Sequence, residues 1–242
     1  MPYKSSYKRR QAAHRANPRV YKTRAVIGMA QPMSIVNASA PPASRGFWGV
    51  RQRGGKELKF VDVAAAAYVA DTTGTVTLLN GVAQGDDFNQ RTGRIMDFKS
   101  VSIKGLLQPV DAITGTSFCR IIVFWDSQPN GATPVVTDFL VASTAISHNN
   151  LNNRSRFKVL LDEQHALGSI DNTTTQAYST NPSVITINRY VKLPSLRTVN
   201  TGTGATVASI QTGAIWMVTI GSNAAGTGGS YSLCTRCRYT DS

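Results

Sequence analysis

The residues with the clearest capacity for chemistry are cations. Lys4, Lys8, Arg9, Arg10, Arg15, Arg19, Lys22, Arg24, Arg45, Arg51, Arg53 and Lys56 make 12 basic residues ahead of the first acid, Glu57. The rest of the 242-residue chain sets its remaining 14 Lys and Arg against all 13 Asp and Glu. Cations at that density bind phosphates by releasing counterions, without reading base sequence. Their mutual repulsion, with few large apolar side chains nearby, leaves residues 1–24 unable to offset the entropy of ordering. We read 1–24 as a disordered basic arm whose nucleic-acid-binding residues are Lys4, Lys8, Arg9, Arg10, Arg15, Arg19, Lys22 and Arg24. Tyr3, Tyr7 and Tyr21 interleave with them and can stack on unpaired bases. Ser5 or Ser6 can cap a short helix over Tyr7 to Ala16, stopped by Pro18.

Catalytic chemistry finds no comparable set. His165 shares a predicted strand face with Glu163, next to Asp162, but no G-x-S-x-G or similar nucleophile motif accompanies the pair. His14 falls in the arm and His148 in an Asn-rich loop. Asp86 and Asp87 are adjacent, without a second acidic cluster for acid–base or two-metal work. Cys234-x-x-Cys237 is half a zinc motif, yet only Cys119 and scattered histidines remain to complete four ligands. On a strand the two cysteines would also point to opposite faces. No G-x-x-x-x-G-K-[ST] loop is present, so an NTPase is excluded along with a nucleophilic enzyme. The reading is of a protein that is not an enzyme and carries no catalytic residue or cofactor.

The elements that must position these residues are strands. LKFVDVA (Leu58 to Ala64), IMDFKSVSIKGLL (Ile95 to Leu107), FCRIIVFW (Phe118 to Trp125) and RFKVLLDEQHAL (Arg156 to Leu167) are followed by SVITINRYVKL (Ser183 to Leu193), GAIWMVTIG (Gly213 to Gly221) and YSLCTRCRY (Tyr231 to Tyr239). Several alternate with period two, as Ile95, Asp97 and Lys99 do against Met96 and Phe98. Turn clusters at Gln128–Gly131, Thr201–Gly204 and Gly226–Gly229 separate them. Helix signals are confined to Val135–Ala145, after Pro134. Seven to nine strands without crossover helices predict an all-β antiparallel sandwich, for which a single eight-stranded jelly roll is the common arrangement. Residues 25–55, rich in Ala, Pro, Ser and Gly, read as a linker, and 56–242 as the strand-built domain. Phe47 and Trp48, between Arg45 and Arg51, read as packing against the first strand.

The low charged fraction, 16% against a usual ~25%, favours a surface that meets copies of itself. No apolar run approaches the ~18 residues of a membrane span, and no apolar stretch follows the basic N-terminus as a secretory signal requires. The sequons at Asn37, Asn153 and Asn172 then read as chance matches, and three cysteines give no disulfide framework.

NGVAQGDDFNQRTGRIMDFKSVSIKG (Asn80 to Gly105), FCRIIVFWDSQPNGATP (Phe118 to Pro134), NNRSRFKVLLDEQHAL (Asn152 to Leu167), and GAIWMVTIG with the terminal YTDS (Tyr239 to Ser242) carry a resemblance. In that order they resemble the capsid proteins of satellite-necrosis-type RNA viruses and of circular, Rep-encoding single-stranded DNA viruses. The matching set spans about 160 of the 242 residues. The resemblance implies a jelly-roll shell domain, about sixty copies of which close into a T=1 icosahedral shell. It also implies an arm lying inside against a single-stranded genome. The PNGATP and RFKVL segments lean toward circular DNA, with assembly in the host nucleus. The QGDDFNQR and YTDS segments lean toward RNA, with assembly in the cytoplasm, and DNA is the expectation carried forward. Shells of this kind hold structural calcium at subunit contacts, which makes Asp241 a calcium candidate, with Asp86 and Asp87 as turn or interface carboxylates. A non-viral nucleic-acid-binding β-barrel with a basic tail is the alternative. It would require aromatics interleaved with cations on a face of the body, where the aromatics instead read as core.

Overall fold

The structure is a computed structural model that describes residues 56–110, 116–168 and 184–241. Nine strands lie among them: β1 (Leu58–Ala70), β2 (Thr75–Leu78), β3 (Ile95–Pro109), β4 (Ser117–Asp126), β5 (Phe157–Leu167), β6 (Ile185–Asn200), β7 (Ile210–Thr212), β8 (Ala214–Gly221) and β9 (Gly229–Asp241). They form two antiparallel sheets, one ordered β1-β9-β3-β6-β7 and the other β2-β8-β4-β5. The corner from β1 to β2 is a turn in which the Asp71 carboxylate accepts from Thr73 and Gly74 N–H, both at 2.9 Å. Gly74 takes φ +78° there, a left-handed conformation that glycine adopts without a Cβ penalty.

The first core lies between the sheets. Alternate residues of β3 and β9 (Val101, Ile103 and Leu107; Tyr231, Leu233 and Cys237) meet Cys119, Ile121 and Val123 of β4 and Ile215 and Met217 of β8. Each large side chain so buried contributes ~1.5–3 kcal/mol relative to exposure. Strand β8, however, is buried at all eight positions, so its outer face needs a cover as well. The connection between β4 and β5 supplies it. Val136, Phe139 and Leu140, in and beside the single turn α1 (Val136–Phe139), join Ile122, Phe124, Trp216, Val218 and Ile220 in a second apolar cluster. Phe139 stacks on Phe124 at 4.4 Å, and Phe157 meets Phe124 edge-on at 5.5 Å.

Two ion pairs fasten that cover. Arg120 projects outward from β4, binds both Asp162 oxygens at 2.7 and 2.6 Å, and donates to the carbonyls of Ala145 and Ser147 at 3.2 and 2.6 Å. Asp126, fully buried, accepts two bonds from Arg156, both at 2.9 Å. These contacts convert an irregular segment into a fixed layer, because a buried guanidinium is tolerated only where its donors are met.

The strand reading holds with several changes. The first strand continues to Ala70, taking in the alanines 64–67, with a bulge between Val63 and Ala66 where it pairs with β9. Strand β2 lies in a stretch without a strong alternation signal. The helix expected over Val135–Ala145 is only the turn α1, because the backbone turns extended at Leu140, which enters the second cluster with Phe139. Strand β6 runs on from Leu193 through Pro194 to Asn200, with a register shift opposite Phe98 and Ser100 absorbing the proline. The three-residue β7 brings the strands among the described residues to nine instead of eight. Alternation in β5 fails at Val159, which is exposed beside a bulge facing Val123 and Phe124.

Arg120→Gln is expected to lower stability by about 2–4 kcal/mol, since it strands Asp162 and two carbonyls beneath the cover. Denaturant unfolding checks this, and a change under half a kcal/mol would show that the cover does not depend on Arg120.

Candidate nucleic-acid interface

Among the described residues no such cover lies on the outer face of the five-stranded sheet. On β9 the alternation buries Thr235, Cys237 and Tyr239 and exposes Cys234, Arg236 and Arg238. On β3 the outward residues include Ser100, Ser102 and Lys104, and on β6 Asn188, Tyr190 and Lys192. Pairing sets them side by side. Ser102 lies between Arg236 and Tyr190, Ser100 between Arg238 and Lys192, and Lys104 between Cys234 and Asn188. Tyr190 is 65% exposed near the middle of this face. With Lys104, Arg236 and Arg238 it borders a depression of about 380 Å³.

The charge on the face is unbalanced. Arg236 holds Asp62 with two bonds of 2.7 Å and lies 4.5 Å over the Phe60 ring. The bonds to Asp62, and its charge, raise the guanidinium above its ordinary range. Arg197 answers Asp97 at 3.2 Å. Lys104, Lys192 and Arg238 have no carboxylate partner among the described residues. An exposed aromatic ringed by uncompensated cations can receive a base on the ring and phosphates on the cations.

The arm residues Lys4, Lys8, Arg9, Arg10, Arg15, Arg19, Lys22 and Arg24 lie outside the described residues, as do Tyr3, Tyr7, Tyr21, His14, Phe47 and Trp48. Asp241 ends β9 with its carboxylate already engaged. It accepts from Thr92 N–H, lies 3.2 Å from Gly93 N, and has Lys59 Nζ at 4.0 Å. Glu57, Lys59 and Asp241 border a separate depression at this end of β9. No group of three His, Cys, Asp or Glu able to hold a metal occurs among the described residues. Within one chain Asp241 offers one carboxylate, already accepting from backbone N–H groups, against the six to eight oxygens that calcium takes. Asp86 and Asp87 are exposed in a turn closed by Gln90, whose N–H donates to the Asp87 carbonyl at 3.0 Å. Cys237 is buried and Cys234 exposed, on opposite faces, and burial pushes the Cys237 thiol up to about 12, far from a metal-binding thiolate.

Strand β5 brings Glu163 and His165 to one face, 3.7 Å apart, with Asp162 turned to the other side and Arg120. Arg189 of β6 binds Glu163, while Tyr231 of β9 and Cys119 of β4 flank the imidazole. This is a polar pair on one strand, extended to β6 by Arg189, and burial raises the neighbouring Cys119 thiol above its ordinary range.

The sequence reading missed the basic face because it counted the body's charge in sum, and the sum is close to zero. The signal was the spacing itself: Arg236 and Arg238 across Cys237, and Tyr190 and Lys192 across Val191. The expectation that body aromatics are core holds for Tyr231 and Tyr239 and fails for Tyr190.

Comparison with known proteins gives the family. Residues 52–242 match the model of the satellite tobacco necrosis virus coat protein family. The chain belongs to that family of viral coat proteins. A coat protein of Maize white line mosaic Satellite virus is 31% identical over 141 residues, 57% of this chain and 62% of its own length. The chain thus spans under two thirds of that relative. The capsid protein of Satellite tobacco necrosis virus 1 is 33% identical over 159 residues, 64% of this chain and 73% of its own. A Desmodium yellow mottle tymovirus chain aligns over 86% of this chain and 96% of its own at 11% identity, with a TM-score of 0.30, too loose a superposition to bear on the fold.

Burial lowers the His165 pKa below its ordinary 6.5, Glu163 opposes that shift and Arg189 adds to it. The folded chain therefore disfavours the imidazolium, and its contribution is complete above the unfolded value and drains as pH falls through it. Thermal melting is expected to fall from pH 7 to 5, and less steeply in His165→Gln. Parallel profiles would show that His165 is not responsible.

Proposed function

We propose that this protein is the shell-forming subunit of a small icosahedral virus and packages its genome through the basic arm. The observation that carries the proposal is membership of a coat-protein family by residues 52–242, preceded by a segment holding 10 cations and no acid. The sheet orders β1-β9-β3-β6 and β2-β8-β4-β5 support reading the body as a jelly roll of eight principal strands, with β7 an added ribbon. Exposed apolar residues outside the cores, among them Phe88 and Ile146 at 74% and Val141 at 67%, support burial against neighbouring copies. A closed assembly of about sixty copies in T=1 symmetry is the natural product of one such subunit.

The genome we infer is single-stranded RNA. The family falls on the satellite side of the resemblance, so the lean toward circular DNA and the host nucleus gains no support from it, and assembly in the cytoplasm replaces them. Family membership also displaces the non-viral β-barrel reading. Lys4, Lys8, Arg9, Arg10, Arg15, Arg19, Lys22 and Arg24 bind phosphates without sequence preference, and neutralising them lets bodies approach. Asp241 serves as a clasp between the end of β9 and the 92–93 backbone, in place of a calcium ligand.

Negative-stain microscopy of the purified chain is expected to show uniform closed shells containing ribonuclease-sensitive material. Replacing the eight arm cations with glutamine is expected to empty or abolish them; shells that still package nucleic acid with an unchanged salt dependence would contradict the role of the arm. A chelator is expected to leave the melting of assembled shells unchanged, and a fall of several degrees would restore calcium to Asp241.

A further inference from the structure

We propose that the bare face of the five-stranded sheet is a second nucleic-acid site, on the body itself, that binds a single strand by stacking a base on Tyr190 and seating phosphates on Lys104, Lys192 and Arg238. Three observations meet on this face. Its cations outnumber its carboxylates, and those three lack a carboxylate partner among the described residues. An aromatic ring stands 65% exposed among them. The opposite sheet is covered by α1 and its flanking residues, and among the described residues no element lies over this one.

Charge selects the occupant. The arm is acid-free and would be repelled. A second copy docking face to face would set like charges against one another. A polyanion is complementary. A base paired within a duplex does not present its ring face, whereas an unpaired base offers one to Tyr190. The strands from β6 to β1 are spaced ~4.8 Å apart, so the face is ~14 Å across. Arg236 is held by Asp62 and Phe60 and forms a fixed wall of the depression, while the unpaired cations are free to turn toward phosphates. The strand's identity as the packaged genome rests on the coat-protein reading; its binding to the face does not.

The test uses the full-length chain with its eight arm cations replaced by glutamine, and a fluorescent oligouridine of about 12 nucleotides, within the range one such face can engage. Binding is expected to persist, and Tyr190→Ala to weaken it about tenfold while Tyr190→Phe retains it. Lys104→Gln, Lys192→Gln and Arg238→Gln together are expected to reduce the slope of log affinity against log salt by about 2. In the unaltered chain, a photoactivatable uridine probe is expected to cross-link to the Tyr190 peptide, which keeps the proposal testable if the arm variant does not fold. Absent binding in a folded arm variant, or binding indifferent to both sets of substitutions, overturns the site. Microscopy of the unaltered chain separates the two readings: shells there without Tyr190-dependent binding in the arm variant overturn the face and leave the coat protein, and Tyr190-dependent binding with no shells from the unaltered chain does the reverse.

Discussion

The structure depends on the fact that β8 is apolar on both sides. A strand whose eight residues are all buried cannot stand at the surface of a two-layer sandwich. One face joins the core between the sheets, and the other must be met by something else. The 127–156 connection meets it with Val136, Phe139 and Leu140, and Arg120 and Arg156 fix that layer through Asp162 and Asp126. Covering one side commits the molecule to two unlike surfaces: a layered, apolar-backed side and a single exposed sheet.

That asymmetry gives the charge pattern its meaning. Cations and a tyrosine on a covered sheet would be core errors; on the bare one they are available to solvent and ligand. The ion pairs divide along the same line. Arg120 and Arg156 are structural, with their guanidinium donors consumed by carboxylates and carbonyls. Lys104, Lys192 and Arg238 are set among serines and have no such duty among the described residues. A coat subunit needs this polarity, because one side of every copy must tolerate a polyanion while the edges meet other copies.

Much of this was legible in the residues. The strands announced themselves through period-two alternation, and the split between a cationic segment and a nearly neutral body through simple counting. The pairing of Glu163 with His165 and the opposed Cys234 and Cys237 followed from strand geometry alone. Other features were not local. The second strand needs β8 as a partner before Thr75–Leu78 has reason to extend. The helical pattern over Val135–Ala145 yields to a tertiary demand for Phe139 over Phe124. The basic face is invisible to any sum of charge, since it joins residues from β3, β6 and β9 that are neighbours only after the sheet has formed.

The two proposals together require the open face of the five-stranded sheet to line the inside of a shell and the covered sheet to turn away from the genome. Electron cryomicroscopy of nucleic-acid-filled particles tests it directly. The account predicts that the outer face of β9, β3 and β6 lines the interior, with nucleic-acid density against Tyr190. Particles in which α1 and the covered side face the nucleic acid, and Tyr190 faces the outer solvent, would contradict it.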